Sequence, residues 1–392
     1  MGATNSRNLC SAKGGKRDFG DGDGDGDGNG DADGCYEKVT YTTAENAEVR
    51  INANAYSGGV LLRDGRVVLV PYKSKCIAIF NPATNFLSTI AGAPGDYAYS
   101  DGVLLPDGRV VFVPYNATTI GIFDPAMNAY SVVAGAPGGA AYYGGVLLRD
   151  GRVLFVPHSA TTIGIFNPTT NAYSTIAGMP DDRHKYQGGV LLPDGRVVFV
   201  PNGAKTIGIF NPATNAYSTV AGAPGAMAYM GGVLLPDGRV VFVPCNAKTV
   251  DIFNPETNAY STITGPQGRY TYTGGVLLRD GRVAFIPGCS KMVGILDTRT
   301  ATSTYSEIPA VPCEWAYDGG MLLADGRILL FPWKAPSFGI LSLSDEKARA
   351  RALLRTEAVK EELIAAAWHP ARMTEWCLDT EERREFAEMG LC

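Results

Sequence analysis

The chain has 392 residues, a net charge of −5 and an apolar content of 45 %. This composition predicts a folded protein with a sizeable core. The charge offers no bulk attraction for nucleic acid, and the lack of an apolar run of about 18 residues excludes a membrane-spanning helix. The first residues form no hydrophobic signal segment, so we expect an intracellular protein whose eight cysteines are free thiols.

The composition changes twice along the chain, which divides it into three predicted regions. Residues 1–35 are rich in Gly and Asp, residues 36–344 contain repeats, and residues 345–392 are charged and rich in Ala. These features predict a flexible tether, a folded body and a helical tail, in that order. The negative charge lies mainly in the two terminal regions.

The N-terminal region begins with MGATNS, which fits the pattern for N-myristoylation of Gly2. A single acyl chain binds a bilayer only weakly, so stable attachment needs a second signal. Cys10 is a candidate for palmitoylation, and basic side chains that attract anionic lipid stand at Arg7, Lys13, Lys16 and Arg17. The sequence therefore predicts a peripheral membrane protein.

The string DFGDGDGDGDGNGDADG follows these basic residues. A run of Gly and like charges is typical of a self-repelling, flexible tether. Asp21, Asp23 and Asp25 with Gly26 match the start of a calcium-binding loop, but Ala32 stands where that loop needs a bidentate Glu. We expect a tether and no EF-hand, and weak calcium binding stays open.

The folded body repeats a unit close to GGVLLPDGRVVFVP, whose clearest copy is Gly231–Pro244. An Asp-Gly pair recurs every 43 to 45 residues, with its Asp at Asp64, Asp107, Asp150, Asp194, Asp237, Asp280 and Asp325. A period of this length with short apolar runs predicts an all-β, seven-bladed β-propeller.

Each unit is predicted to contain four strands arranged as two hairpins. A Pro ends the second strand, because it lacks the N–H that the next hydrogen bond of the sheet would need. A Tyr recurs in every unit and a Gly pair follows it in most of them, and we place both just before the first strand. The repeated residues are Tyr56, Tyr99, Tyr142, Tyr186, Tyr229, Tyr272 and Tyr317. The seventh unit ends after its third strand, at Ser337–Ser344, and an orphan strand stands near the N-terminus, at Lys38–Thr43. We therefore expect the N-terminal strand to complete the last blade and close the ring.

The hairpin string FNPATNAYS at Phe210–Ser218, with a near copy at Phe166–Ser174, resembles the third-strand, turn and fourth-strand motif of kelch repeats. The resemblance implies a propeller that serves in protein interaction. The units depart from the kelch pattern in one respect. Kelch units usually close the second strand with Gly-Gly, whereas these mostly close it with Val-Pro.

Comparison of the seven copies separates residues that build the propeller, which we call the frame, from residues of a candidate binding surface. The Tyr before the first strand recurs in every unit, which favours packing between blades over a ring of ligand-stacking aromatics. The residues after the second-strand proline and the crossover at Asp181–Tyr186 vary instead, and the two are predicted to share one face. We predict a protein-binding surface there, at Lys73, Asn116, His158, Arg183, His184, Lys185, Asn202, Asn246, Trp333 and Lys334. Drift in exposed loops is the alternative.

Catalysis is not predicted, because the few histidines share no close motif and the repeated Asp residues stand in hairpin turns. We expect no cofactor and no metal site, and a monomer. The first hypothesis is a lipid-tethered, non-catalytic scaffold that binds a protein partner. The alternative is a propeller that binds or processes a carbohydrate or another small molecule, which His and carboxylate groups clustered near the axis would favour.

The C-terminal region is predicted to be helical, with Ser344 as a helix cap and Pro370 in the first turn of a second helix. Its large apolar residues are candidates for docking on the propeller. The string AWHPARMTEWCLD at Ala367–Asp379 resembles a short tail motif in proteins of giant DNA viruses. That resemblance implies a viral origin, which would place the protein in the host cytoplasm, and it implies no activity.

Overall fold

The structure is a computed structural model that describes residues 39–43, 51–300, 302–311, 315–335 and 337–343. These residues form seven four-stranded sheets. The first strands of successive sheets pack side by side, and the first strand of the last sheet packs against that of the first. The fold is therefore a closed seven-bladed β-propeller, as the repeat period predicted.

Every blade uses the same four strand positions. The first strands are β2 (Tyr56–Leu61), β6 (Tyr99–Leu104), β10 (Tyr142–Leu147), β14 (Tyr186–Leu191), β18 (Tyr229–Leu234), β22 (Tyr272–Leu277) and β26 (Tyr317–Leu322). The second strands are β3 (Val67–Pro71), β7 (Val110–Pro114), β11 (Val153–Pro157), β15 (Val197–Pro201), β19 (Val240–Pro244), β23 (Val283–Pro287) and β27 (Ile328–Pro332). The third strands are β4 (Cys76–Asn81), β8 (Thr119–Asp124), β12 (Thr162–Asn167), β16 (Thr206–Asn211), β20 (Thr249–Asn254), β24 (Met292–Asp297) and β28 (Gly339–Leu343). The outer strands are β5 (Phe86–Ala91), β9 (Ala129–Ala134), β13 (Ala172–Ala177), β17 (Ala216–Ala221), β21 (Ala259–Thr264), β25 (Thr304–Pro309) and β1 (Val39–Thr43).

Burial follows the position of a strand within the blade. Every residue of the second strands is buried, because neighbouring blades cover both faces. The outer strands β9, β13, β17, β21 and β25 alternate between exposed and half-buried residues. The core therefore lies between blades, in clusters that each join apolar side chains of two adjacent sheets.

The first hairpin turn is held by its own Asp and Arg. In the second blade, the Asp107 carboxylate accepts hydrogen bonds from the backbone N–H of Arg109 at 3.0 Å and from its side-chain Nε at 2.9 Å. Gly108 between them has a φ of 93°, which an L side chain adopts at a cost. The same clamp recurs in the other blades, which confirms that these Asp residues cap turns.

The repeated Tyr serves packing. Tyr142 is fully buried, and its hydroxyl lies 2.7 Å from the hydroxyl of Tyr173 on the outer strand of the same blade. Equivalent Tyr pairs occur in four further blades. The prediction of a structural role is therefore confirmed, and the ring of ligand-stacking aromatics is not formed by these residues.

The Tyr and the Gly pair lie inside the first strand, whereas we had placed them just before it. The register between β10 and β11 shifts between Tyr142 and Gly145, which marks a bulge. A Cβ on Gly145 would lie 2.7 Å from a methyl carbon of Val113 in the preceding blade. The second Gly of the pair therefore lets neighbouring blades pack closely around the axis.

The ring closes as predicted. Strand β1 pairs antiparallel with β28, from Val39 opposite Leu343 to Thr43 opposite Gly339, and supplies the outer strand of the last blade. Lys38, Gly2, Cys10, the Gly/Asp-rich run and the predicted C-terminal helices lie outside the described residues. Among those that are described, no helix is long and apolar enough to span a bilayer.

Candidate functional site

The segments after the second-strand proline share one face with the crossovers between blades. The backbone N–H of Ala98, in the first crossover, donates to the carbonyl of Tyr72 at 2.9 Å, and Ala98 in turn accepts from the N–H of Tyr115 at 2.8 Å. We call this side of the disc the crossover face and the side with the hairpin turns the turn face. The shared face that the sequence predicted is therefore present.

An arc of aromatic rings lies on the crossover face near the axis of the propeller. The rings of Tyr115 and His158 pack on Tyr143, which lines the mouth of the central channel described below. The residue directly after the proline is aromatic in four successive blades: Trp333, Tyr72, Tyr115 and His158. Their ring centroids lie 5.8, 6.0 and 5.7 Å apart in that order around the ring. The other three blades carry Asn202, Cys245 and Gly288 at this position. The mouth is therefore aromatic on one side only, and we call those four residues the aromatic arc.

The crossovers add a second layer of rings. Tyr97, His184 and Trp315 occupy equivalent crossover positions, with φ values between 56° and 60°. A bulky side chain at positive φ is strained, and Gly or Asn would fit with less cost. Tyr97 packs edge-on against Tyr72 at 4.8 Å between centroids. The crossover face thus carries rings at backbone positions that local energetics disfavour.

Five of the predicted contact residues on this face are exposed: Lys73, Asn116, Arg183, His184 and Lys334. The Lys73 ammonium lies 4.7 Å from the centre of the Tyr97 ring, and that of Lys334 lies 5.5 Å from Trp315. A cation over an aromatic face is attracted by the ring quadrupole. Half-buried Trp333 joins them through the aromatic arc. This group combines cationic and aromatic side chains on one surface.

Three other predicted contact residues are buried. His158, Lys185 and Asn202 are 3 %, 1 % and 3 % exposed. Lys185 stands where most blades have a buried Ala, and its ammonium donates to the carbonyl of Asp182 at 2.5 Å. The Asn202 amide donates to the carbonyl of Tyr229 at 2.8 Å. These side chains stabilise the frame, which the sequence pattern did not reveal.

His158 belongs to the aromatic arc but faces inward. Its Nε2 lies 3.2 Å from Nδ1 of His184. Burial lowers the pKa of His158 to about 4, and the neighbouring His184 contributes to that lowering. The ring is therefore neutral at physiological pH and packs as an aromatic group.

Asn116 and Asn246 tie loops of the crossover face together. The Asn116 side-chain oxygen accepts from the N–H of Ala140 at 2.9 Å, and that of Asn246 accepts from Tyr270 at 3.0 Å. Each amide therefore bridges its own blade to the next crossover. This structural use leaves less of either side chain available to a partner.

A ring of residues that the sequence pattern did not reveal lines the central channel. Successive side chains of a strand point to opposite faces of the sheet, so the residue after the repeated Tyr points away from the core between blades and toward the axis. This position carries Ser57, Ser100, Tyr143, Gln187, Met230, Thr273 and Asp318. These residues line a cavity of about 270 Å³, together with the Gly pairs, Asp101 and Phe331. The available signal was variation inside a strand that otherwise repeats closely.

Several channel side chains bond to the next blade. The hydroxyls of Ser57 and Ser100 donate to the carbonyls of Ser100 and Tyr142 at 3.0 and 3.1 Å. The Asp101 carboxylate accepts from the backbone N–H groups of Gly102 and Gly145 at 2.8 and 3.0 Å. Thr273 accepts in the same way from the N–H of Gly319 at 3.0 Å. These hydrogen bonds connect neighbouring blades and stabilise the propeller.

Asp318 differs from them. No described residue donates a hydrogen bond to its carboxylate or forms an ion pair with it. Burial in the channel wall raises its pKa to about 6. Burial also raises the pKa of the Tyr143 and Tyr72 hydroxyls, and the nearby Asp318 carboxylate adds to both shifts. Asp318 is thus an unpaired carboxylate below the aromatic side of the mouth.

The described residues bring together no group of three or more His, Cys, Asp or Glu side chains able to hold a metal ion. Blades 7, 1, 2 and 3 supply the rings, with Asp318, Ser57, Asp101 and Tyr143 beneath them.

No protein-family model matches the chain, and no curated protein matches its sequence. Solved structures match its fold. A virginiamycin B lyase from Staphylococcus aureus, solved with quinupristin, is 16 % identical with a TM-score of 0.65, over 79 % of this chain and 100 % of the lyase. The WD40 repeats of RRP9 are 13 % identical with a TM-score of 0.59, over 77 % and 97 % of the two chains. A chain of the mitotic checkpoint complex is 12 % identical with a TM-score of 0.61, over 81 % and 96 %.

At these identities the likeness shows the propeller fold alone. The neighbours include an enzyme as well as WD40 propellers. Propellers often serve as protein-interaction scaffolds, and function on such a shared fold is decided by the site.

Proposed function

We propose that this chain is a non-catalytic scaffold that holds a protein partner on its crossover face. The observation that carries the proposal is the aromatic arc, which is confined to one side of the channel mouth and lies beside exposed cations. Repetition of the frame in all blades is explained by packing, whereas these rings occur in some blades only. The kelch-like hairpin strings agree with a scaffold of this kind.

Two physical features support a macromolecular partner. Trp, Tyr and Arg are the residues that most often anchor protein interfaces, and Trp333, Tyr72 and Arg183 belong to this surface. The crossover position that Tyr97 and Trp315 occupy has a positive φ in all seven blades, so the backbone conformation belongs to the frame, but only some blades place a ring there. The turn face lacks this combination among its described residues, since its turns repeat one Asp-Gly-Arg clamp.

The proposal includes attachment to a membrane through the N-terminus. Acylation of Gly2 and Cys10, with the neighbouring basic residues, would supply the two signals that stable anchoring needs. The propeller itself begins with β1 at Val39, so the intervening residues would serve as the tether. The giant-virus tail motif bears on origin and adds nothing to this function.

The test is capture of partner from the native cells by wild-type chain and matched variants, read by quantitative mass spectrometry after crosslinking. Trp333→Ala and Arg183→Ala should each weaken capture by about 1–4 kcal/mol, as interface anchors commonly do. Thr214→Ala, an exposed change on the turn face, is the control and should capture normally. Melting curves must show that the variants fold. If Thr214→Ala loses capture while both crossover-face variants capture normally, the interface lies on the turn face and the proposal is refuted.

A second function has one observation in its favour. The axial cavity of about 270 Å³, with carboxylates at Asp101 and Asp318, is the cluster near the axis that a carbohydrate- or small-molecule-binding propeller would need. Tight binding of a neutral sugar, abolished by Asp318→Asn, would favour this function over a scaffold.

A further inference from the structure

The channel lining is acidic and has no counter-charge. Asp101 and Asp318 are its two carboxylates, and none of the described residues that line the cavity is Lys, Arg or His. The exposed cations Lys73 and Lys334 lie over Tyr97 and Trp315 on the crossover face instead. A positive group that enters the channel therefore meets only negative or dipolar neighbours.

The two carboxylates are not equivalent. Asp101 is satisfied by the N–H groups of Gly102 and Gly145, and this bridge between blades is structural. Asp318 has no such partner among the described residues, although other blades place Ser, Tyr, Gln, Met or Thr at its position without harm to the ring. Asp318 is half-buried in the channel wall, so its ionised carboxylate is only partly solvated, and an entering cation offsets that cost.

We infer that the axial cavity binds the ammonium group of a lysine side chain, presented by the protein partner that occupies the crossover face. This assignment rests on the proposed function. The lysine stem passes the aromatic arc at Tyr72 and Trp333, and its ammonium pairs with the Asp318 carboxylate beneath.

The shape and the acceptors of the site favour an alkylammonium. Water occupies roughly 30 Å³, so the cavity has room for about nine waters or for one alkyl chain, and not for a folded element. An ammonium has three donors. The lining of the cavity offers it the Asp318 carboxylate and the Tyr143 hydroxyl as acceptors, and the Tyr72 hydroxyl is close enough to Asp318 to interact with it electrostatically. A guanidinium needs more acceptors in one plane.

Divalent cations fit the donor set less well. Calcium takes six to eight oxygen ligands, usually with several carboxylates, and magnesium demands octahedral geometry. Asp318 is one free carboxylate, and the oxygens of Asp101 are already bonded to backbone amides. The aromatic rings along the entry path add attraction for an organic cation and none for a hydrated metal ion.

The inference is tested on the purified full chain with small probes, so that no partner is needed. Nα-acetyl-lysine-N-methylamide is titrated by calorimetry at pH 7.5 beside the norleucine analogue, which lacks the ammonium. A charge-assisted hydrogen bond predicts that the lysine probe binds more tightly by about tenfold or more. Asp318→Asn should remove that advantage. Asp318→Ser, the residue of two other blades, is a second variant in case Asn perturbs the fold.

The control is Asp124→Asn on the turn face, because four other blades carry Asn at that position and the net charge changes equally. It should bind the lysine probe as wild type does. Equal affinity for the lysine and norleucine probes, or undiminished binding by both folded Asp318 variants, would overturn the inference.

Two further probes define the ligand. Tighter binding of the arginine analogue would overturn the assignment to an alkylammonium. Tighter binding of free n-butylammonium than of the lysine probe would overturn a side chain as its source. If no probe binds while Trp333→Ala still abolishes partner capture, this inference fails and the proposed function stands.

Discussion

Replacement of Asp318 by Asn should stabilise the propeller at neutral pH. Burial raises the pKa of Asp318 from 3.8 to about 6, and a pKa difference of one between the folded and unfolded states corresponds to about 1.36 kcal/mol. The ionised carboxylate therefore costs up to about 3 kcal/mol relative to its protonated form. Asn keeps the shape of the side chain and removes the charge. Because Asp318 is only half-buried and water in the channel can reach it, the variant should recover part of that amount above about pH 6.

The sign of the pH dependence follows from the same difference in pKa. Because the folded pKa lies above the unfolded one, the folded state holds this proton more tightly. The contribution to stability is fully present below about pH 4, falls as the pH rises to about 6, and stays level above that. The titrating groups that face Asp318 are the Tyr72 and Tyr143 hydroxyls, which stay protonated across this range because their pKa values are raised.

The assay is urea unfolding of wild type and Asp318→Asn at pH 4 and pH 7.5. The difference between the two proteins isolates Asp318, since Asp101 and His158 titrate in both. Near-equal stability at pH 4 and a more stable variant at pH 7.5 are expected. A variant that is less stable at pH 7.5, or a difference that does not change with pH, would show that Asp318 has a partner or is well solvated.

Three further predictions concern the frame and the tether. Deletion of residues 1–45 removes β1 and leaves β28 as an unpaired edge, so the melting temperature should fall; an unchanged value would refute closure by this strand. Gly145→Ala places a methyl group 2.7 Å from Val113, and urea unfolding should show a loss of about 1–3 kcal/mol. A loss below the error of the measurement would contradict close packing at the axis. Co-expression with a myristoyltransferase should add one acyl chain to Gly2 but not to Gly2→Ala, and an unmodified wild-type mass would contradict the anchor.

Much of the frame was predictable because its determinants are local. The Asp107–Arg109 clamp, the positive φ of Gly108 and the strand-ending prolines act within a few residues, and their period gives the number of blades. The split last blade was also readable, since β28 has no fourth strand after it.

The site was only partly predictable, because it depends on contacts between blades. Asp318 and Tyr143 are distant in sequence and meet only where the ring closes around its axis. Lys185 looks like a surface cation in sequence, yet it occupies the buried position that Ala228 takes in the next blade. Variation among copies located the crossover face, but it could not separate exposed side chains such as Lys73 from buried ones such as His158.

The central claim is that the crossover face, around the aromatic arc, is the binding surface. Hydrogen–deuterium exchange of the propeller, with and without its captured partner, tests it most directly. Slowed exchange is expected in the segments after Pro71, Pro114 and Pro332 and in the adjoining crossovers, with the Asp-Gly-Arg turns unchanged. Protection confined to the Asp-Gly-Arg turns, with the segments that carry Tyr72 and Trp333 exchanging as in the free protein, would contradict it.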